Sequence, residues 1–197
     1  MGDEVGQVVT FGHGTLGEDE LRRLLRAAGV RRVVDVRRFP ASRRHPHVDR
    51  AALERWLPEA GIAYRWCEPL GGRRTPLPDS PNTGLRNRAF HGYADHMATS
   101  AFHAAVDELV AEARTPGAAV AELPGRAGTS GLLIMCSESL WWRCHRRLLA
   151  DHLTLVRGCA VDHLGHDGRR TPHPLTDTVQ RRGHDVRYAL DPTPELP

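Results

Sequence analysis

Apolar residues recur along most of the chain in two alternating rhythms. Val8-Val9-Thr10-Phe11 is a short β-type run that ends at Gly12-His13-Gly14. Over residues 16–28, Leu21, Leu24, Leu25 and Ala28 fall on one face at helical spacing, acidic residues occupy the first turns, and Gly29 is a suitable stop. Residues 30–36 read as a second strand. Asp49 is a good N-cap for a helix over 51–60, which Gly61 ends, and 62–67 is a third strand. "LLRAAGVRRVVDVR" and "WLPEAGIAYRWCEP" therefore share one grammar: amphipathic helix, Ala-Gly stop, β-branched strand. A helical region follows over 93–113, then the most apolar strand, 131–136, expected at the centre of a sheet. A helix over 139–153 and a strand over 159–164 complete the pattern.

Strands alternating with helices of this length predict an α/β fold: an open, mostly parallel sheet with crossover helices on both faces, a Rossmann-like three-layer arrangement. Residues 8–164 form the expected single domain, and 165–197 a polar, proline-containing C-terminal tail, poorly ordered outside 186–190. Residues 71–88 are too long for a simple connection and rich in Gly, Pro, Arg and Asn, which marks a functional loop. Residues 113–131 read as a flexible insertion.

With 197 residues the chain has room for one domain with a real core. Its 27 basic residues are all arginine, its formal net charge is +3 and its pI about 8.9. A mildly basic balance permits an anionic partner, a small molecule or nucleic acid, without demanding one. No signal-like N-terminus or bilayer-length apolar run is present, so the expectation is a cytoplasmic protein without a membrane partner, whose four cysteines are free thiols. There is no Cys-x-x-Cys pair and no diagnostic ligand spacing, so no metal or other cofactor is required by a motif.

In an open parallel sheet, ligands bind beyond the carboxyl ends of the strands. Those ends carry His13-Gly14-Thr15, Asp35-Val36-Arg37, the loop leading to Gly71-Gly72-Arg73, Cys136-Ser137-Glu138 and His163. In "FGHGT" the glycines allow backbone amides to face an anion, or simply make a tight turn. Asp35, inside a strand, needs a partner, and Arg37 shares its face. "RRFPASRRHPH", with Ser42 and Arg43, is either a solvated loop or an anion grip at the rim of a site. Cys136 ends a buried strand and Glu138 lies on the following turn. Six residues separate Cys136 from Arg143, so the spacing of a Cys-x5-Arg phosphate loop is absent. Cys144 on a Leu140–Cys144–Leu148 stripe should pack inward and need not meet Cys136. Of Trp141 and Trp142, one packs at the sheet edge and the other, Trp142, lines a pocket for a flat ligand. Arg146 points towards the sheet edge.

The combination "TFGHGT", "VVDVRRFPASRRHP", "EAGIAYRWCEPLGGRR", "FHGYADHM", "IMCSESLWWRCHRRLLADHL" and "VDHL" resembles the domain-of-unknown-function family 488, in order from Val8 to Leu164. The resemblance implies a compact α/β domain with recurring polar positions at His13, Asp35, Arg37, Ser42, Arg43, Gly71, Gly72, Cys136, Glu138, Cys144, His145 and Arg146. Ser137 stands where alanine is expected. The resemblance implies no particular reaction.

The residue types favour an enzyme, a hydrolase or transferase acting on an anionic, nucleotide-like or nucleic-acid substrate. Glu138 and Cys136 sit at the catalytic turn, with His13 and Asp35 beside them. Thr15, Arg37, Ser42, Arg43, Gly71, Gly72, Arg73, Trp142, His145 and Arg146 hold the substrate. Carboxylate chemistry beside an anion clamp suits cleavage of an N-glycosidic bond. Two other classes stay open. One is a nucleic-acid-binding module in repair or modification. The other is a thiol-redox or metal protein centred on Cys136 and Cys144, for which His13, His145 and His163 are the candidate histidines.

Overall fold

The computed structural model describes residues 6–115 and 131–190. Its principal sheet contains β1 (Gln7–Gly12), β2 (Arg32–Asp35), β3 (Ala63–Trp66), β4 (Leu132–Cys136), β5 (Ala160–Leu164) and β6 (Arg170–Pro172). They lie in the order β3-β2-β4-β1-β5-β6, and the first five are parallel. β6 runs antiparallel to β5.

The alternation of side chains builds two cores, one on each face. Val9, Phe11, Val33, Leu133 and Met135 pack with α1 (Glu18–Ala27) and α2 (Arg50–Glu59). Val8, Val34, Leu132, Ile134 and Cys136 pack with α3 (Arg88–Met97), α4 (Ser100–Arg114) and α5 (Arg146–Leu155). This is the expected open α/β three-layer fold. β4 is covered on both faces and buried throughout, which is why it reads as an uninterrupted apolar run. The carboxyl ends of β1, β2 and β4 lie side by side at the centre of the sheet, because β4 returns between β1 and β2.

Several elements differ from expectation for identifiable reasons. The helical region over 93–113 is two helices: Asn87 caps the first, and the Thr99 hydroxyl accepts from the Phe102 amide to start the second. The Asp49 carboxylate accepts from the Ser42 amide and makes no cap bond to α2. Most of the segment expected as an insertion, residues 116–130, lies outside the described residues.

The largest departure is at the C-terminus. Residues expected as a loose tail instead add β6 to the sheet and form a hairpin of β7 (Val179–Arg182) and β8 (Asp185–Tyr188). β8 overlaps the one stretch of the tail expected to be ordered. Val186 and Tyr188 alternate inward into the core beside α3 and α5, an apolar signal too short to stand out in polar surroundings. The buried carboxylate of Asp151 on α5 secures this segment. It accepts hydrogen bonds from the Thr176 amide (2.9 Å), the Thr176 hydroxyl (2.7 Å), the Tyr188 hydroxyl (2.9 Å) and His173 Nε2 (3.0 Å). From His173 a buried chain continues inward. His173 Nδ1 lies 2.9 Å from His163 Nε2, and His163 Nδ1 lies 2.6 Å from the Thr10 hydroxyl. Trp141 stacks flat on the His163 ring at 4.1 Å.

Removing the carboxylate in Asp151→Ala strands four donors and should cost about 3 kcal/mol or more in urea unfolding, whereas Tyr188→Phe, losing one bond, should cost about 1 kcal/mol. Equal effects of the two would contradict this anchoring role. Burial, aided by His173 and the charge of Arg146, pushes His163 down to about 3, and burial pushes His152 down to about 4, both from an ordinary 6.5. The unfolded chain therefore binds more protons than the folded chain below pH 6.5. Stability should be intact above that pH and fall as the pH drops from 6.5 towards 4, by up to about 1.4 kcal/mol per pH unit for each histidine. Thermal melting across that range checks the slope, and a flat profile would refute it.

Candidate functional site

β1 and β4 end together, with Gly12 paired to Cys136. Their backbones continue in register beyond the sheet: the His13 amide donates to the Cys136 carbonyl (3.0 Å) and the Gly14 amide to the Ser137 carbonyl (2.9 Å). These two amides are thus consumed, and the anion cradle considered for "FGHGT" is not formed by them. The need for glycine is steric. A Cβ on Gly12 would lie 1.8 Å from the Glu138 carbonyl oxygen and 2.6 Å from Arg146 Nη2.

That close approach exists because Arg146 is buried beneath the turn, only 1% exposed. Its Nη2 donates to the Glu138 carbonyl, its Nη1 to the Thr10 hydroxyl (3.5 Å) and its Nε to the Cys144 sulfur (3.4 Å). Arg146 does point towards the sheet edge, as expected. It organises the turn from behind and does not line the cleft described below, so the expected role in gripping substrate falls away.

The helix expected over 139–153 does not begin at Ser139. The Glu138 carboxylate accepts from the Leu140 amide (3.1 Å), a short 3₁₀ turn follows over Trp141–Arg143, and Cys144 has extended backbone (φ −114°, ψ 150°) before α5 starts at Arg146. The Leu140–Cys144–Leu148 stripe is therefore absent: Leu140 is 37% exposed, while Cys144 and Leu148 are buried. The extended residue swings Cys144 to face Cys136, correcting the expectation that the two need not converge. His145 Nδ1 lies 3.6 Å from the Cys144 sulfur and 4.0 Å from that of Cys136, and all three atoms fall within 4.8 Å of one another. Burial opposes ionisation of Cys144. The neighbouring Cys136 thiol and the charge of Arg146 outweigh it and hold Cys144 below the ordinary thiol range. Cys136, beside Cys144 and buried as well, is raised. Of the three histidines considered as ligands, only His145 joins this cluster. His13 and His163 lie elsewhere.

Asp35 is fully buried and saturated. It accepts from the amide, Nε and Nη2 of Arg37 and from the Tyr64 hydroxyl (2.9 Å). These bonds meet the need for a partner that its place inside a strand implies. Arg37 Nη1 lies 3.4 Å from His13 Nε2, which must accept, so His13 Nδ1 carries the proton and donates to the Gly14 carbonyl (3.0 Å). Burial and then the charge of Arg37 bring His13 down to about 4. Both ring nitrogens are engaged, so His13 stands as a neutral wall and not a free proton carrier.

A cleft of about 580 Å³ opens above these groups, a size suited to a small-molecule ligand. His13, Arg37, Ser42, Gly72, Arg73, Cys136, Glu138 and His145 line it, so eight of the expected site residues converge. Asp35 supports from below. Thr15, Arg43, Gly71 and Trp142 do not line it: Thr15, Arg43 and Trp142 are exposed elsewhere, Trp142 by 49%. Gly71 packs against the Arg38 backbone instead. Arg38, Phe39, His45, Arg143 and Cys144 also line the cleft and were not singled out for it from the sequence. Arg38 Nη1 donates to the Arg73 carbonyl (2.7 Å), and Arg73 adopts left-handed backbone (φ 57°), a strained state for a residue with a side chain. Among the described residues, the exposed side chains of Arg73 and Arg143 have no hydrogen-bond or ion-pair partner. A second cavity of about 750 Å³, lined by Pro76, Leu77, Pro78, Ser80, Arg86, Arg88 and His91, lacks a comparable set, and its His91 is engaged with the Leu85 carbonyl.

No helix among the described residues is long and apolar enough to cross a membrane. No curated protein matches the chain, and no solved structure does. The family model described as "Domain of unknown function DUF488" matches residues 18–120 and 111–153. That span contains β2 to β4, α1 to α4 and the Cys136–Arg146 turn, and the chain belongs to this family of unknown function.

Proposed function

We propose that the protein is an enzyme acting on an anionic, nucleotide-like substrate bound in the cleft at the ends of β1, β2 and β4. One observation carries this reading: the Glu138 carboxylate shares a single cleft with the guanidinium groups of Arg38, Arg73 and Arg143. A carboxylate there would repel an anion if it served only binding. Its placement suits an acid–base group next to a phosphate clamp. One Glu138 oxygen is occupied by the Leu140 amide, which fixes the carboxylate and leaves the other oxygen for substrate or water. Arg37, locked by Asp35, and the neutral His13 shape the wall.

The reaction these groups suit is hydrolysis or transfer at an N-glycosidic bond. Glu138 takes a proton from the attacking water, the water oxygen bonds to the sugar carbon as the bond from that carbon to the base nitrogen breaks, and the proton passes from Glu138 to the departing base nitrogen. A cleft of this volume accommodates one nucleotide and not a duplex. The test is base release from a panel of nucleoside monophosphates and short single strands. Glu138→Gln should lower turnover by about 100-fold or more with substrate binding retained. Arg73→Ala and Arg143→Ala should act chiefly on KM. Full turnover by Glu138→Gln, or no affinity for phosphate-bearing ligands in the intact protein, would overturn the reading.

A further inference from the structure

The cluster of Cys136, Cys144 and His145 has no role in the reaction proposed above, yet its geometry is specific. We propose that these three residues form a binding site for one zinc-class divalent cation, with a fourth coordination position open to the cleft.

The donor set is the first argument. Two thiolates and one imidazole are soft-to-borderline ligands, the combination that selects zinc over magnesium or calcium. The distances are the second. Zinc bonded tetrahedrally to sulfur and nitrogen places an S···N edge at about 3.6 Å. His145 Nδ1 stands 3.6 Å from one sulfur and 4.0 Å from the other before any ion draws them in. The surroundings are the third. Arg146 Nε donates to the Cys144 sulfur from the buried side, the outer-sphere contact that orients a metal-bound thiolate. Gly72 packs against the imidazole, where a Cβ would come within 2.6 Å of Nδ1. All three residues line the cleft, which leaves the fourth position accessible.

A purely structural role explains His145 poorly. Among the described residues, the hydrogen-bond partners of its side chain are the two sulfurs, both met by Nδ1. The backbone supports the same conclusion. Cys144 is extended between a 3₁₀ turn and a helix, which places adjacent residues 144 and 145 on the same centre as Cys136 from the end of β4.

The test uses full-length protein purified under reducing conditions and stripped with a chelator. Titration with Co²⁺ should give one equivalent bound per chain, with thiolate-to-cobalt charge-transfer absorption and the visible bands of tetrahedral coordination. One equivalent of Zn²⁺ should abolish both. Zn²⁺ should also shield Cys136 and Cys144 from alkylation, mapped by peptide mass spectrometry, while leaving the labelling of Cys67 and Cys159 unchanged. Cys136→Ser and Cys144→Ser should each lose most of the charge-transfer intensity, and His145→Gln should weaken binding by about tenfold or more. Wild-type titration decides the matter even if a variant fails to fold. Absence of the charge-transfer band, substoichiometric binding, or equal labelling of all four cysteines with and without Zn²⁺ would overturn the site. Binding of inorganic phosphate to the stripped protein reports separately on the anion cleft, so either reading can fail alone.

Discussion

The guanidinium of Arg146 is the group on which the rest of the site depends. Buried beneath the turn after β4, it reaches the Glu138 carbonyl, the Thr10 hydroxyl on β1 and the Cys144 sulfur. A buried cation is costly unless every direction is met by an acceptor. Here the acceptors come from three separate segments, so satisfying one charge fixes their relative positions. Glycine at position 12 follows directly, because the carbonyl that Arg146 draws inward occupies the space a side chain would need.

The same logic runs outward through the C-terminal segment. Thr10 accepts from Arg146 and is hydrogen-bonded to His163. His163 meets His173, and His173 ends on Asp151, which also ties down Thr176 and Tyr188. An arginine at one end and a carboxylate at the other polarise a single line of hydrogen bonds. Its histidine members come from β5 and the segment after β6, beyond the stretch that matches the family model.

The layered sheet was legible in the sequence because repeated helix–Gly–strand units and the apolar run at Leu132–Cys136 are local signals. Convergence at the strand ends was legible for the same reason: His13, Arg37, Gly72, Cys136 and Glu138 all follow predicted strands. Which of them remain free was not legible. Arg37 and Arg146 look like anion clamps in one dimension and are spent internally in three, whereas Arg73 and Arg143 hold the exposed positions. The meeting of Cys136 and Cys144 was missed because Ser139 is a plausible helix start. Only the bond from Leu140 to Glu138 and the extended backbone at Cys144 delay the helix. Tyr188 lies in the one tail stretch expected to be ordered, but its bond and that of Thr176 gave no signal, since their partner, Asp151, lies on a helix face that periodicity alone leaves ambiguous.

Asp151 therefore has a bearing on the order in which the molecule is made. Every cleft-lining residue has left the ribosome by His145, yet the bonds that saturate Asp151 and close the line to Arg146 wait for His173, Thr176 and Tyr188. During synthesis the turn carrying Glu138 and both cysteines exists for a time without its remote anchor. The line of hydrogen bonds from Arg146 to Asp151 is then the last part of this framework to close.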